Sequence, residues 1–236
     1  MQPGTDPDGI RINKYIASTG FCSRRDADKL IEEGHVSIDG VPAVQGSKVM
    51  PGAVVTVKGR PVVPKQDKIY IAFHKPLGIT CTTDRRDPDN IIDYIGYPER
   101  IFPVGRLDKN SSGLILLTND GDIVNQLLRA ENGHEKEYTV TVDRNIDPSF
   151  KSSMENGLPI LGQITLPCKV SIRSARSFNI ILKQGLNRQI RRMCEYLGYR
   201  VIKLRRIRFM NIELGGLKAG EYRLLEPREI EKLLSR

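Results

Sequence analysis

The 236-residue chain has four cysteines, Cys22, Cys81, Cys168 and Cys194, and no CxxC pair. Scattered like this, they supply neither a disulfide framework nor a zinc ribbon. His35, His74 and His134 are equally isolated, so metal-ligand spacing is missing as well. Long apolar runs are lacking too. IYIAF (69–73) and GLILL (113–117) end well short of the ~18 residues a membrane helix needs. The opening MQPGTDPDG is polar and acidic, with neither the basic start nor the apolar stretch of a secretory signal. No P-loop and no dinucleotide-binding glycine pattern occurs. These absences lead us to expect a cytoplasmic protein without metal, cofactor or membrane contact. The length still suffices for a real hydrophobic core, as one large domain or two modest ones.

What the chain has in excess is positive charge, and it is unevenly placed. Lys and Arg number 37 against 28 Asp and Glu, a net +9. Residues 1–68 contribute +2, residues 69–182 contribute −1, and residues 183–236 contribute +8. A surface that concentrates cations in this way points to a polyanionic partner.

A break falls at KGRPVVPKQDK (58–68), which holds two prolines and has no periodicity, and it reads as a linker. Before it, Ser23 can cap a helix that places Asp26 three residues on and ends at Gly34. Ala27, Leu30 and Ile31 give that helix its apolar face. Asp39-Gly40 suits a tight hairpin turn, and VVTV (54–57) is a short strand. After the break, IYIAFHK (69–75), IFPVG (101–105), GLILLT (113–118), KEYTVTV (136–142), FNIILK (178–183) and VIKLRRIRFMNIEL (201–214) read as strands. Asp120 can cap a helix carrying Ile123, Val124, Leu127 and Leu128, and Asn187 can cap a helix over 188–197. The pattern predicts an α+β protein with a mixed, mainly antiparallel sheet flanked by helices.

Three clusters stand out. Arg11, Lys14, Arg24, Arg25 and Lys29 lie on or beside the two short N-terminal helices, away from their apolar positions. They form either a solvated face or a surface that tracks phosphates. In GLNRQIRRMCEYLG (185–198), the buried stripe of Ile190, Met193, Cys194 and Leu197 leaves Arg188, Arg191 and Arg192 on neighbouring turns. Such pairs repel by a few tenths of a kcal/mol, roughly. With Arg205 and Arg206 following, an anion held from outside is the better explanation. The third cluster is GRLDKNSSGLILLTNDG (105–121), where Asp108 by itself would read as a turn former.

Two resemblances sharpen these readings. RINKYIASTGFCSRRDADKLIEEGHVSIDGVPA (11–43) resembles the alpha-L, or S-four-type, RNA-binding domain, in which the two helices lie on RNA. GRLDKNSSGLILLTNDG, HEKEYTVTV (134–142) and QGLNRQIRRMCEYLG (184–198) together resemble the motifs of the RsuA family of pseudouridine synthases. The resemblance implies an RNA-binding domain over 10–57, a linker over 58–68 and a catalytic domain over 69–236. It implies Asp108 as the catalytic carboxylate, Arg191 as its basic partner, Tyr138 at the base, Leu204 beneath it and Arg106 near the flipped nucleotide. Arg188, Arg192, Arg205 and Arg206 would meet phosphates.

The implied reaction detaches uracil from its ribose, rotates it and rejoins it through carbon five, which requires no cofactor. A carboxylate beside the ribose suits it, oriented by a guanidinium through charge-assisted hydrogen bonds. The implied partner is ribosomal RNA, of the large subunit, at a single-stranded loop or bulge of a stem-loop, where the base is already partly free. The RNA could be naked or within an assembling subunit, and the protein is expected to act as a monomer. Small-subunit RNA is the alternative target. A catalytically silent RNA-binding assembly factor is the alternative class. An RNA methyltransferase would need a glycine-rich loop after the first strand, and residues 69–90 offer only Gly78.

Overall fold

Ser23 decides where a helix begins near the N-terminus. Its Oγ accepts the Asp26 N–H at 3.1 Å and donates to the Asp26 carboxylate at 2.6 Å, which satisfies one orphan donor of the first turn. The same helix closes on Gly34 at φ 74°, where the Gly34 and His35 N–H groups donate to the Ile31 and Leu30 carbonyls. That is the Schellman ending glycine favours. The computed structural model describes residues 8–65, 67–128 and 133–235, and its first compact unit runs to Lys68. The unit orders β1 (Ile10–Arg11), α1 (Ile12–Ser18), α2 (Arg24–Glu32), β2 (Val36–Ile38), β3 (Val41–Pro42), β4 (Lys48–Val49), β5 (Val55–Val57) and β6 (Arg60–Val62). A four-stranded antiparallel sheet runs β3-β2-β5-β6, and β1 pairs with β4. Asp39 and Gly40 both take positive φ, the type I′ geometry expected between β2 and β3. Ile12, Ile16, Ala27 and Ile31 bury against Val36, Val55 and Val57.

One expectation is corrected here. The stretch 58–68 does not start as a linker. Lys58 and Gly59 both take positive φ and turn the chain so that Arg60–Val62 pairs with β5. Pro61 hid this strand in the sequence. It is tolerated because β6 is an edge strand, where a missing N–H costs little.

The second unit begins at Ile69. It contains β7 (Tyr70–Lys75), α3 (Ile91–Ile95), β8 (Phe102–Val104), β9 (Ser112–Thr118), α4 (Gly121–Leu128), β10 (Lys136–Val142), α5 (Phe150–Glu155), β11 (Pro159–Ile160), β12 (Gln163–Ile164), β13 (Lys169–Ser174) and β14 (Ser177–Leu182). These are followed by α6 (Gln189–Tyr196), β15 (Val201–Phe209), β16 (Ile212–Glu213), β17 (Tyr222–Leu224) and α7 (Pro227–Leu234). A nine-stranded sheet runs β13-β14-β10-β15-β9-β7-β17, with β16 added to β15 and β8 to β9. All its pairings are antiparallel except β15 with β9. This is the mixed, mainly antiparallel α+β sheet the sequence predicts.

The parallel junction is short. Arg205 pairs with Ser112, and Arg206 with Gly113. Gly113 sits at φ 111°, and a Cβ there would collide with the Arg206 backbone. Only glycine lets the two halves of the sheet meet at this point. In one half, Val140, Phe178 and Ile180 pack beneath Phe150, Met154, Met193 and Cys194 of α5 and α6. In the other, alternate residues of β7 and β9 serve two cores. Ile71, Phe73, Ile115 and Leu117 face α3, while Ala72, Leu114 and Leu116 pack with Ile123, Leu127 and Leu233 of α4 and α7. Every residue of β7 is buried, including the terminal Lys75.

Candidate active site

The loop between β8 and β9 carries Asp108, and its backbone is held from several directions. The Ser111 N–H donates to the Asp108 carbonyl at 2.9 Å, and the Gly78 N–H donates to the Lys109 carbonyl at 2.9 Å. The Leu107 N–H donates to the buried Cys81 Sγ at 3.3 Å. Below the loop, the buried Lys75 ammonium donates to the carbonyls of Pro76 and Ile79 at 2.8 and 2.7 Å, with that of Lys109 at 3.5 Å. Burial pushes the Lys75 ammonium below its ordinary pKa, while Cys81 and Asp108 oppose that shift. A cation in a cage of carbonyls fixes the loop's shape without competing for its carboxylate at hydrogen-bond distance. Nothing in the local sequence marks Lys75 for this role.

Two arginines of the α6 region reach Asp108. Arg191 Nε lies 3.9 Å from Asp108 Oδ2, and Arg188 Nη1 lies 3.8 Å from the same oxygen. They are held differently. Arg191 is 15% exposed and donates to Asn110 O at 2.6 Å, Ser111 Oγ at 3.3 Å and Val201 O at 3.3 Å, and its Nε is buried without a hydrogen bond. It therefore braces the loop and points its remaining donor at the carboxylate. Burial first, and then Arg188, lower the Arg191 pKa from its ordinary value. Arg188 is 47% exposed. It occupies the N-cap of α6 in a left-handed conformation, φ 51° and ψ 34°. This displaces Asn187 from the capping role expected of it, and Asn187 instead accepts from Arg192 through its backbone and side-chain oxygens. Asp108 thus supplies one negative charge to two of the three arginines, so the cluster keeps a net positive charge that an outside anion can meet.

Asp108 opens into a cavity of about 610 Å³. Its lining includes Arg106, Tyr138, Arg188, Leu204, Arg206 and Phe209. Leu204 is buried, while Tyr138 is half-buried and its hydroxyl has no hydrogen-bond partner among the described residues. Among the described residues, Asp108 is the only carboxylate of the lining, against six cations, Arg106, Lys109, Lys136, Lys183, Arg188 and Arg206. Of these, Lys109 pairs with Asp89 at 2.7 Å. A carboxylate, an aromatic hydroxyl, apolar walls and surplus positive charge suit a flat, neutral ring tethered to an anionic backbone.

Asp108, Tyr138, Leu204 and Arg106 share the cavity, and Arg191 abuts it. Arg205 and Arg206, read together as phosphate contacts, point to opposite faces of β15. Arg206 is buried in the cavity wall with its Nε donating to Leu114 O at 2.6 Å, and it is corrected from a surface contact. Arg205 is exposed on the other face, opposite Thr139. In the first unit, Arg11, Arg24, Arg25 and Lys29 are exposed and Lys14 is half-buried. Among the described residues, no group of His, Cys, Asp and Glu is arranged to hold a metal ion, and no helix is long and apolar enough to cross a membrane.

Comparison with known proteins decides what this arrangement belongs to. Residues 69–196 match the RNA pseudouridylate synthase family, and residues 10–55 match the S4 domain. The chain belongs to the RNA pseudouridylate synthase family. This synthase is 53% identical over 222 residues to the dual-specificity RNA pseudouridine synthase RluF of Salmonella typhi, covering 93% of this chain and 77% of that one. It is 35% identical to the ribosomal large subunit pseudouridine synthase B of Bacillus subtilis (strain 168), covering 94% and 95%. A crystal structure of a pseudouridylate synthase superposes with a TM-score of 0.70 at 28% identity, covering 96% of this synthase and 100% of that chain. The enzyme is an isomerase acting on RNA.

Proposed function

We propose that this synthase converts uridine to pseudouridine in large-subunit ribosomal RNA, in the cytoplasm, as a monomer acting on a single-stranded loop or bulge. The observation that carries the reading is Asp108, placed between Arg188 and Arg191 at the head of a cationic cavity with a tyrosine hydroxyl in its wall. The relatives' names, which include a large-subunit synthase, support the target.

In this reading the N1–C1′ bond breaks, a C5–C1′ bond forms, and the C5 proton is released as N1 gains one, so the product is an isomer. Asp108 meets the ribose of the target nucleotide. Arg191 holds the loop and directs the carboxylate. Tyr138 stacks on the base and is the group available to take the C5 proton, with Leu204 beneath the ring. Arg106 and Arg188, exposed at the cavity mouth, take phosphates. Their charge offsets part of the few kcal/mol, roughly, needed to extrude a base. Arg11, Lys14, Arg24, Arg25 and Lys29 of the first unit, with Arg192 and Arg205 of the second, add backbone contacts of the kind that position RNA without reading its sequence.

The test is tritium release from ribosomal RNA transcripts labelled at C5 of uridine. The wild type is expected to release label, and Asp108→Asn to release none while binding the same RNA. Release by Asp108→Asn at wild-type rate would remove the carboxylate from the mechanism.

A further inference from the structure

Two cations in the cavity wall have no counterion among the described residues. Lys136 Nζ donates to His134 O at 3.3 Å and Arg206 Nε to Leu114 O at 2.6 Å, both neutral acceptors. The two are neighbours. Tyr138 pairs with Arg206 across β10 and β15, Lys136 pairs with Phe209, and the extra residue Ile207 bulges between the two pairs. The Lys136 ammonium stands 5.7 Å and the Arg206 guanidinium 5.8 Å from the centroid of the Phe209 ring. Burial first, and then the charge of Arg206, push the Lys136 ammonium below its ordinary pKa. Adjacent like charges, here a buried guanidinium and a half-buried ammonium, are unfavourable unless an anion joins them. Asp108 is engaged by Arg188 and Arg191.

The surroundings indicate which anion fits. Arg206 is 4% exposed, whereas Arg106 and Arg188 are open to solvent at the mouth, where a phosphate tethered to RNA can reach them. Tyr138, Leu204 and Phe209 give the space beside Lys136 the apolar and aromatic walls of a site for a ring. Uracil is neutral while attached to ribose. When the N1–C1′ bond breaks, its electron pair passes to the ring and spreads over N1, O2 and O4. When C5 attacks C1′, that charge is consumed.

We propose that Lys136 and Arg206 receive the carbonyl oxygens of the target uracil and stabilise the negative charge of the detached base. The inference rests on the proposed placement of the uridine in this cavity. The two cations then act only while the base is free, as donors aimed at developing charge do in other sites. Lys136 is accordingly a catalytic residue alongside Asp108 and Tyr138.

The experiment compares wild type, Lys136→Met and Lys136→Arg in single-turnover reactions with a stem-loop RNA carrying uridine or 5-fluorouridine at the target position. Loss of the starting nucleoside is followed after nuclease digestion. Fluorine withdraws electrons and stabilises the detached base, so it partly substitutes for the missing cation. Lys136→Met is expected to lose about 10²-fold on uridine, at least threefold less on 5-fluorouridine, with RNA Kd within twofold of wild type. Lys136→Arg is expected to recover most of the uridine rate. The thermal midpoint of Lys136→Met is expected to equal or exceed that of wild type, because one of two repelling charges is gone.

Equal losses on the two substrates, or a loss confined to Kd, would overturn the proposal and assign Lys136 to a phosphate. Full activity of Lys136→Met would overturn it too, and so would a marked fall in thermal midpoint. An inactive wild type would instead refute the placement of uridine in the cavity.

Discussion

Arg191→Lys separates charge from geometry at the candidate active site. The substitution keeps a cation near Asp108 but removes the planar fork. Arg191 now reaches Asn110 O at 2.6 Å, Ser111 Oγ at 3.3 Å and Val201 O at 3.3 Å while its Nε points at Asp108 from 3.9 Å. An ammonium on a different stem cannot make the Asn110 and Val201 contacts together. Hydrogen bonds from a charged donor contribute about 1.5–3 kcal/mol each, so losing one or two gives roughly 2–4 kcal/mol, discounted for water entering in their place. If that energy positions the loop for the reaction, each ~1.36 kcal/mol lowers the rate tenfold, and the expected loss in single-turnover rate is about 10²-fold. RNA affinity is expected to stay within twofold, because Arg191 is largely shielded from solvent. The assay is pseudouridine formation at saturating enzyme, with Kd measured by filter binding on the same RNA. A rate within threefold of wild type would refute the claim that Arg191 acts through the geometry of the Asp108 loop.

Three further outcomes are expected. Tyr138→Phe removes a hydroxyl that has no partner among the described residues, so the thermal midpoint is expected to hold while isomerisation is lost and base stacking persists. Full activity would reduce Tyr138 to a packing residue. Arg24→Ala with Arg25→Ala is expected to weaken RNA binding and to flatten the log Kd against log salt plot by ~0.7–0.9 for each phosphate no longer neutralised. An unchanged slope would take the first-unit helices off the RNA. Arg223, bonded to Glu229 at 2.6 and 2.7 Å, holds that carboxyl below its ordinary pKa. A carboxylate depressed on folding contributes stability above its unfolded pKa, about 4.3, and loses it as pH falls through the folded value. Glu229→Gln keeps the α7 cap and is expected to make stability less pH-dependent between about pH 5 and 3. Parallel stability curves for the two proteins would contradict this.

What the sequence reveals is mostly local. Ser23, Gly34 and Asp39-Gly40 act within a few residues of themselves, so cap and turn chemistry is enough to place them. The alternation of KEYTVTV puts Lys136 on the same face as Tyr138, so its place in the cavity is readable there, although a lysine at the start of a strand ordinarily reads as solvated. Alternation also separates Arg205 from Arg206 in principle, but LRRIRF mixes charged and apolar residues and carries the bulge at Ile207. Lys75 is illegible because backbone carbonyls cage it, those of Pro76 and Ile79 just after it and that of Lys109 from a distant loop, and carbonyls leave no side-chain pattern in the sequence. The meeting of Asp108 with Arg188 and Arg191 spans some eighty residues. No spacing rule predicts it, and family resemblance supplies only the Arg191 half.

The most direct measurement maps pseudouridine on unmodified large- and small-subunit ribosomal RNA after incubation with the purified protein, using chemical labelling and primer extension. A stop in large-subunit RNA that disappears with Asp108→Asn is expected. A stop only in small-subunit RNA would contradict the proposed target. No stop in either RNA, with tight binding intact, would contradict the central claim and leave a protein that holds RNA without modifying it.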